Sequence, residues 1–501
     1  MDILPHYIGG KRVAGTSGRV SDIYNPALGE VIRHCPLANA EELQKTVQAA
    51  KSAFPSWAAM PVARRARYMF KLLDLLEQNS EALARVISEE HGKVIEDAIG
   101  EVARGAEIVE FCCSMPQMIE GRFDSQMATG MDQISFRKPL GVVAGITPFN
   151  FPIMIPLWMM PMAIACGNTF ILKPSERDPS VSLMVADLVK EAGIPDGVFN
   201  VLHGDKESVD GLLAHRDVKA ISFVGSTPIA RYVYATGTSH VKRVQALGGA
   251  KNHMIIMPDA DIDKAASALL AAGYGAAGER CMAISVAVPV GEETADKLIA
   301  ALKPRVEALK IGPGNSEGVE MGPLINQQAY ERVSSYIGTG ISEGATLVLD
   351  GRSTPKPQGY EQGYFMGGSL FDNVTPQMSI YKEEIFGPVL SVVRAQRYED
   401  ARDLATNHAY GNGVALFTQN AAIIRDFVET VEVGMLGINV PIPVPTATHS
   451  FGGWKESIFG DIPMYGKDGI LFWTRQKNVL ARYPDASTVM NQFNFARSSD
   501  V

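Results

Sequence analysis

Between residues 139 and 230 the chain alternates short apolar runs with longer stretches in which apolar residues recur every three or four positions. The short runs, rich in Val, Ile and Phe, are VVAGI (142–146), TFILK (169–173), VFNVL (198–202) and AISFV (220–224). Such runs are typical of buried strands, and their alternation with helical stretches is typical of a parallel sheet covered by helices. This part of the chain therefore predicts an α/β domain.

One helix between the second and third runs is marked at both ends. Asp178 is expected to cap it, Pro179 to occupy its first position, and Gly193 with Pro195 to stop it. Its apolar positions have the spacing of one side of an α-helix. They are Val181, Met184, Val185, Leu188 and Val189.

A second series of alternating elements extends from about Met254 to about Leu471. It begins with MIIM and a helix expected to be capped near Asp259. It also contains the strand-like runs AISVAVPV (283–290) and VLSVV (389–393). The pattern predicts a second α/β domain.

Two segments with strand character lie outside both series, ISFRK (134–138) and VLARY (479–483). We expect them to join as a peripheral sheet through which subunits associate, giving a homodimer or homotetramer. The sequence does not decide between these two assemblies.

The composition narrows the classes of function. Hydrophobic residues make up 46% of the chain, charged residues make up 20%, and the net charge is -9. No run of Lys or Arg offers the concentrated basic face that a nucleic acid or an anionic membrane requires, so neither partner is expected. The apolar stretch 151–172 contains three prolines and predicts a buried loop and helix rather than a membrane span.

The cysteines and the N-terminal segment indicate the cellular compartment in which the protein is expected. The five cysteines form no CxxC pair and no even-numbered framework, which favours free thiols in a reducing compartment and argues against a structural zinc site. The segment MDILPHYIGGKRVAG lacks the basic and apolar regions of a secretory signal. We therefore expect a cytoplasmic protein without a bound metal.

Two loops at predicted strand ends are candidates for binding a dinucleotide, although the GxGxxG fingerprint is absent. Lys173 and Glu176 follow the TFILK strand, where they can hydrogen-bond the hydroxyls of an adenosine ribose. A carboxylate there repels a 2′-phosphate, which favours NAD over NADP. Gly225 and Ser226 lie at a strand-to-helix turn, where backbone can approach a pyrophosphate. Each loop by itself is more often a plain turn.

Cys281 is the candidate nucleophile. It lies between a helix that ends near Gly278 and the AISVAVPV strand, a junction that can expose a side chain to a cleft. Arg280 beside it can hold negative charge nearby or bind an anionic substrate. A lone cysteine is nevertheless more often a small buried hydrophobe, and this interpretation applies to the other four.

The presence of several motifs in a set order favours the catalytic interpretation of Cys281. They are TPFNFP at 147, KPSE at 173, FVGST at 223, GERC at 278 and EEIFGPV at 383. Over nearly its whole length the chain resembles the aldehyde dehydrogenase superfamily. The resemblance implies that Cys281 attacks an aldehyde carbonyl, and that the Asn150 amide and the Cys281 N–H stabilise the resulting oxyanion.

The resemblance also implies the cofactor contacts and the fold. Glu384 and Phe386 match positions that hold the nicotinamide ribose and ring, and Phe149 joins the residues expected to bind the cofactor. The implied fold is α/β, with a Rossmann-like NAD-binding domain, an α/β catalytic domain and a small β oligomerisation element. We assign 1–118 and 139–246 to the NAD-binding domain, 247–470 to the catalytic domain, and 119–138 and 471–501 to oligomerisation.

One departure from the family pattern indicates how the acyl group leaves the enzyme. Hydrolytic members carry a glutamate in an ELGGK motif that activates water, whereas Leu247 occupies the matching position in QALGGAK. Because leucine cannot accept a proton, we expect the acyl group to be transferred to the thiol of coenzyme A. The segments GAKNH, AAGERCMAIS, NVPIPVP and SFGGWKES are similar to those of the CoA-acylating methylmalonate-semialdehyde dehydrogenases.

In that subgroup two arginines bind the substrate carboxylate, and they correspond to Arg104 and Arg280. The resemblance implies oxidation and decarboxylation of methylmalonate or malonate semialdehyde to propionyl-CoA or acetyl-CoA. Two alternatives stay open: a hydrolytic dehydrogenase of another small semialdehyde, and a non-catalytic protein on the same fold. No motif marks the surface that binds coenzyme A.

Overall fold

The computed structural model describes residues 2–483. In this range the helices are α1 Ala40–Ala59, α2 Val62–Gln78, α3 Ser80–His91, α4 Ile95–Cys113, α5 Met115–Met118, α6 Met154–Ala165, α7 Ser180–Glu191, α8 Lys206–Ala214, α9 Thr227–Ser239, α10 Ile262–Tyr274, α11 Glu292–Glu307, α12 Gln327–Ser342, α13 Ser379–Lys382, α14 Tyr398–Asn407, α15 Ala421–Thr430 and α16 Gly466–Trp473. Short 3-10 helices follow at Gly275–Gly278 and Gly351–Ser353.

The strands belong to two large sheets and several small ones. They are β1 His6–Ile8, β2 Lys11–Val13, β3 Val20–Asn25, β4 Glu30–Pro36, β5 Arg122–Ala128, β6 Met131–Pro139, β7 Val142–Ile146, β8 Thr169–Lys173, β9 Phe199–Val201, β10 Val218–Val224, β11 Arg243–Leu247, β12 Asn252–Ile256, β13 Ile284–Pro289, β14 Thr346–Leu349, β15 Ser369–Asp372, β16 Val389–Val392, β17 Tyr410–Gly411, β18 Gly413–Phe417, β19 Met435–Ile438, β20 Trp454–Lys455, β21 Ile458–Phe459 and β22 Thr474–Arg482. Each of the apolar runs singled out in the sequence forms one of these strands.

The first large sheet has the strand order β2-β1-β9-β8-β7-β10-β11-β21, and its five central strands run parallel. Successive side chains of a strand point to opposite faces. Accordingly, Val143 and Phe170 pack in one apolar cluster, whereas Ala144 and Ile171 pack in another. Burial on both faces explains why these strands are apolar at every position.

The second large sheet has the order β14-β15-β16-β13-β12-β18-β19 and is parallel apart from the β14–β15 pair. It carries its own core, which includes Ile255, Leu298 and Phe371. The two predicted α/β units are therefore present as two sheets with separate cores. The exact domain boundaries stay a prediction.

A three-stranded sheet of order β22-β6-β5 joins the two peripheral segments. β22 pairs antiparallel with β6 from Thr474 opposite Pro139 to Arg482 opposite Met131. The two predicted strands thus lie side by side, although a role in oligomerisation stays a prediction. Part of the segment assigned to it, 484–501, lies outside the described residues.

The apolar stretch 151–172 contains all of α6 and most of β8. Every residue of α6 is buried, and Pro161 lies within the helix. Of the helices in the described residues, none combines the length and apolarity needed to cross a membrane.

Two helix starts differ from the sequence prediction. α7 begins at Ser180 with Pro179 as its N-cap, and neither carboxylate oxygen of Asp178 has a hydrogen-bond partner. Asp178 is buried and its pKa is raised well above the usual value, mainly by desolvation, so it has no capping role. α10 is capped by Asp261 rather than near Asp259, because Asp259 accepts hydrogen bonds from the Thr418 hydroxyl and the Gln419 N–H.

Candidate active site

The candidate site forms where the two large sheets approach one another. The loop after β7 carries Asn150, and the turn after β10 carries Gly225 and Ser226. Carboxyl ends of parallel strands meet at one edge of a sheet, so both loops reach the same cleft. Cys281 enters this cleft from the second sheet, just before β13.

A left-handed turn places Cys281. Ala276, Ala277 and Gly278 have φ values of 50°, 51° and 72°. A Cβ on Gly278 would lie 2.2 Å from the Gly387 carbonyl oxygen, so only glycine fits this close approach. The turn therefore depends on the loop that also carries Glu384.

Two cavities meet at Cys281, which lines both of them. One has a volume of about 310 Å³ and is lined by Phe149, Asn150, Gly225, Ser226, Glu384 and Phe386, among others. The other has a volume of about 440 Å³ and is lined by Arg104, Arg280, Phe151, Trp158 and Ile442, among others. We call them the cofactor cavity and the substrate cavity. A nucleophile at their junction can contact groups bound on either side.

Glu384 is the buried acid of the cofactor cavity. One of its oxygens accepts the Ala250 N–H at 3.0 Å, and desolvation raises its pKa to about 7. A Cβ on Gly249 would lie 2.4 Å from the other oxygen. The carboxylate therefore occupies a space that the glycine leaves open.

Two aromatic rings form one wall of the same cavity. Phe149 and Phe386 meet edge to face, with 5.8 Å between their ring centroids. Phe386 has a φ of 57°, in the left-handed region that costs a non-glycine residue free energy. Together the Phe149 and Phe386 side chains offer an apolar surface against which a ring of a bound molecule can pack.

The N-terminus of α9 opens into the cofactor cavity. Ser226 is its N-cap, but its hydroxyl makes no capping hydrogen bond. The first N–H groups of the helix are thus open to an anion, as at other helix N-termini that bind phosphate. The hydroxyl of the next residue, Thr227, accepts the Gly249 N–H at 2.8 Å. This hydrogen bond connects α9 to the loop after β11.

Lys173 and Glu176 lie at the carboxyl end of β8. Their side chains form an ion pair of 3.0 Å, and Glu176 has a lowered pKa, because attraction by Lys173 and hydrogen bonds outweigh its burial. They are not among the residues that line the cofactor cavity. The structure therefore brings together all the predicted cofactor residues except this pair, which lies on the neighbouring strand.

Arg104 and Arg280 both line the substrate cavity. Arg280 forms an ion pair of 2.6 Å with Asp97, and Arg104 forms one of 2.6 Å with Glu107. Arg104 also donates to the Pro445 carbonyl at 2.8 Å, which joins it to the loop after β19. The two guanidinium groups, one on α4 and one in the loop before β13, thus come from different parts of the chain to line one cavity.

A buried ion pair supports the loop that carries Asn150. Lys93 donates to Glu101 and to the Asn150 carbonyl, both at 2.7 Å. The other Glu101 oxygen accepts the N–H groups of Ile153 and Met154 at 2.9 and 3.1 Å. Because both charged side chains are buried, these bonds hold the Asn150 backbone rigidly.

Cys281 is partly exposed at the junction of the two cavities, and protein atoms surround its thiol. Desolvation, followed by the Glu384 carboxylate, raises the pKa of the thiol, while the N–H groups of Cys281 and Met282 and the Arg280 charge act in the opposite direction. The other four cysteines are buried, so their interpretation as small hydrophobes agrees with the structure. Thiolate formation at Cys281 therefore depends on nearby hydrogen-bond donors.

Leu247 ends β11 and is buried, with 3% of its surface exposed. Its side chain belongs to the apolar cluster beneath the first sheet. No proton acceptor stands at this position.

Several residues of the site escaped the sequence reasoning. Lys93 and Glu101 act through backbone groups that are remote in the sequence, and no local motif marks them. Thr227 lies in the quoted FVGST motif, but its contact with Gly249 was not predicted. Asn252 lies in the quoted GAKNH segment, and its only signal is a polar residue at the start of a buried strand. Its amide donates to the Cys281 carbonyl at 2.9 Å.

Comparison with known proteins agrees with this geometry. Residues 13–479 match the model of the aldehyde dehydrogenase family, and the chain belongs to that family. The prediction of the family and of its fold is thereby confirmed.

Individual relatives are more specific. The chain is 57% identical to malonate-semialdehyde dehydrogenase of Pseudomonas aeruginosa, over 99% of both chains. It is 51% identical to malonate-semialdehyde dehydrogenase 3 of Geobacillus kaustophilus, over 96% of this chain and 99% of the relative.

Two solved structures are equally similar in fold. The crystal structure of methylmalonate-semialdehyde dehydrogenase from Oceanimonas doudoroffii has a TM-score of 0.96 and 51% identity, covering 97% of this chain and 99% of that one. A Sinorhizobium meliloti protein, whose proposed identity is methylmalonate-semialdehyde dehydrogenase, was solved with NAD. It has a TM-score of 0.96 and 57% identity, with the same coverage.

The buried ion pair generates a first prediction. Replacing Glu101 by Ala leaves Lys93 as an unpaired buried charge, so we expect the free energy of unfolding to fall by about 3–5 kcal/mol. Denaturant-induced unfolding measures this loss. Glu110→Ala, an exposed position on the same helix, should change stability by less than about 0.5 kcal/mol. Equal effects of the two variants would contradict the supporting role of Glu101.

Proposed function

We propose that the protein oxidises methylmalonate semialdehyde and malonate semialdehyde with NAD and transfers the acyl group to coenzyme A. The observation that carries this proposal is the position of Cys281, at the junction of the cofactor cavity and a cavity lined by two arginines. The names of the similar proteins support the choice of substrate.

The residues of the cofactor cavity fit NAD. The uncapped N-terminus of α9, with Gly225 and Ser226, suits the pyrophosphate, and the Glu384 carboxylate suits the hydroxyls of the nicotinamide ribose. Lys173 and Glu176 would hold the adenosine ribose, and Phe149 and Phe386 would flank the nicotinamide ring. When bound, NAD supplies a hydride acceptor.

The chain's own groups carry the first step. The Cys281 thiolate adds to the aldehyde carbon, a C–S bond forms, and the carbonyl oxygen takes the negative charge. The Asn150 amide and the Cys281 N–H stabilise that oxygen. Once the adduct is oxidised, Cys281 carries the acyl group as a thioester.

Arg104 and Arg280 would hold the substrate carboxylate in the substrate cavity. When the bond between this carboxylate and the α-carbon breaks, carbon dioxide leaves and the electron pair passes to the thioester as an enolate, which then takes up a proton. The product on Cys281 is a propionyl group, or an acetyl group from malonate semialdehyde.

Release of the acyl group would use the thiol of coenzyme A. Its sulfur attacks the thioester carbonyl, Cys281 leaves as a thiolate, and propionyl-CoA or acetyl-CoA forms. Leu247 supports this route, because it offers no base for water at the position where hydrolytic relatives carry glutamate. Water is thus the poorer nucleophile in this site.

The β5, β6 and β22 sheet would join subunits into a homodimer or homotetramer in the cytoplasm. Its exposed apolar side chains, including Phe123 and Leu480, support an interface there. We keep the domain assignments 1–118 with 139–246, 247–470, and 119–138 with 471–501 as part of this proposal.

The reaction is tested by its need for coenzyme A. NADH formation from malonate semialdehyde, followed by absorbance beyond the first turnover, should require added coenzyme A, because the thioester otherwise persists. Cys281→Ala should abolish NADH formation while NAD binding is kept, and Cys113→Ala, at a buried cysteine outside both cavities, should stay active.

Sustained turnover without coenzyme A would overturn the acylating route. Glu384 would then be the candidate base of a hydrolytic dehydrogenase, since it lines the same cavity as Cys281. Loss of that turnover in Glu384→Gln at saturating NAD, with formation of the first equivalent of NADH retained, would identify it.

The arginines are tested with a panel of short aldehydes. In Arg104→Leu and Arg280→Leu we expect kcat/KM for malonate semialdehyde to fall about 10–100-fold, the effect of losing a charged hydrogen bond of about 1.5–3 kcal/mol. In Arg104→Leu, oxidation of propanal, which has no carboxylate, should change by less than about threefold. In Arg280→Leu the loss of a charge that favours the Cys281 thiolate slows both aldehydes, so there the loss should be larger for malonate semialdehyde than for propanal. Arg85→Leu, at an exposed arginine, is the control. Equal losses for both aldehydes would exclude carboxylate recognition.

Binding of NAD should depend on pH through Glu384. Its pKa is raised to about 7, so the carboxylate is charged above that value and becomes protonated as the pH falls through it. We expect the NAD dissociation constant, measured by titration calorimetry, to rise below about pH 7 because a neutral carboxyl accepts ribose hydroxyls poorly. Glu384→Gln should remove this dependence, and Glu383→Gln should keep it. An unchanged profile in Glu384→Gln would exclude Glu384 as the titrating group.

A further inference from the structure

Two side-chain amides meet at the carbonyl oxygen of Cys281. Asn252 donates to it at 2.9 Å and Asn412 donates to it at 3.2 Å. Asn252 lies at the start of β12 and Asn412 immediately precedes β18, so the two come from neighbouring strands of the second sheet that are distant in sequence. A carbonyl held by two amides has little freedom to rotate.

The clamp itself is rigid. Asn252 also donates to the Ala283 carbonyl at 2.9 Å, and its oxygen accepts the Gly413 N–H at 3.0 Å. Asn412 also contacts the Met282 sulfur at 3.0 Å. Both asparagines are buried, with 2% and 6% of their surface exposed, so water does not compete for these bonds.

The other side of the same peptide faces the nucleophile. In a trans peptide the C=O and the N–H point in opposite directions, and this chain has no cis peptide among the described residues. The N–H opposite the clamped carbonyl belongs to Met282, and it is one of the groups that favour the Cys281 thiolate. A hydrogen bond to the carbonyl also polarises the peptide, which strengthens its N–H as a donor.

We propose that Asn252 and Asn412 are positioning residues that hold the Cys281 carbonyl so that the Met282 N–H points at the Cys281 sulfur and stabilises its thiolate. Neither asparagine has to touch substrate or cofactor. The proposal rests on the assignment of Cys281 as the nucleophile. The Met282 N–H would then offset part of the desolvation and of the repulsion by the Glu384 carboxylate that oppose ionisation of the Cys281 thiol.

The test is the pH dependence of Cys281 alkylation by iodoacetamide, followed by mass spectrometry of the peptide that contains Cys281. In Asn252→Leu the midpoint of the profile should move upward by about one pH unit, and the rate near about pH 8 should fall about five- to tenfold. Asn412→Leu, which removes the longer bond, should shift the midpoint in the same direction by less. It also provides a second variant if Asn252→Leu does not fold.

The matched control is Asn168→Leu. Asn168 is fully buried and uses its amide in the same way, donating to the Ala163 and Trp473 carbonyls and accepting the Leu140 N–H. It lines neither cavity at Cys281, so its loss should reduce stability and leave the alkylation midpoint unchanged.

Failure of this inference and failure of the proposed function give different results. If both Asn252→Leu and Asn412→Leu keep the wild-type midpoint while alkylation of Cys281 inactivates the wild-type enzyme, the clamp is refuted and the nucleophile stands. If wild-type enzyme alkylated at Cys281 keeps its activity, the assignment of the nucleophile fails first. A shift of equal size in Asn168→Leu would also overturn the inference, because the effect would then follow from lost stability.

Discussion

The proposed chemistry depends on forming a thiolate at Cys281, where surrounding protein atoms displace water. Burial and the Glu384 carboxylate both oppose charge on Cys281, and only hydrogen bonds and the Arg280 charge favour it. A buried anion without such donors is expensive, so the surrounding backbone has to be fixed in advance. The left-handed turn before Cys281 and the two amides on its carbonyl provide that fixation.

The need for a fixed backbone around Cys281 also explains how the two sheets are joined at the site. The first sheet supplies the Asn150 loop and the α9 N-terminus, and the second supplies Cys281 and Glu384. Short contacts connect the two parts, such as the Ala250 N–H donating to Glu384 and the Arg280 guanidinium donating to Asp97 of α4. Each reacting group is therefore positioned by a part of the chain that is distant in sequence.

The substrate cavity and the buried Leu247 together favour the proposed transfer of the acyl group to coenzyme A. Arginines that are each paired with a carboxylate keep the cavity close to neutral until an anion arrives. An apolar residue where other family members keep a base leaves the thioester to a better nucleophile than water. In the proposed reaction, substrate recognition and acyl transfer therefore depend on different residues.

The sequence determined several buried strands of both large sheets, the order of the motifs and the choice of Cys281 as the candidate nucleophile, because buried strands are apolar along their length and the motifs are contiguous. It misplaced the N-caps of α7 and α10 by one and two residues, since Asp178 and Asp259 have alternative environments that local patterns do not reveal. Tertiary structure alone decided that Arg104 and Arg280 share a cavity, that Lys173 and Glu176 lie apart from it, and that Asn252 reaches Cys281. The physical reason is that hydrogen bonds and ion pairs act over about 3 Å in space, and separation along the chain does not record that distance.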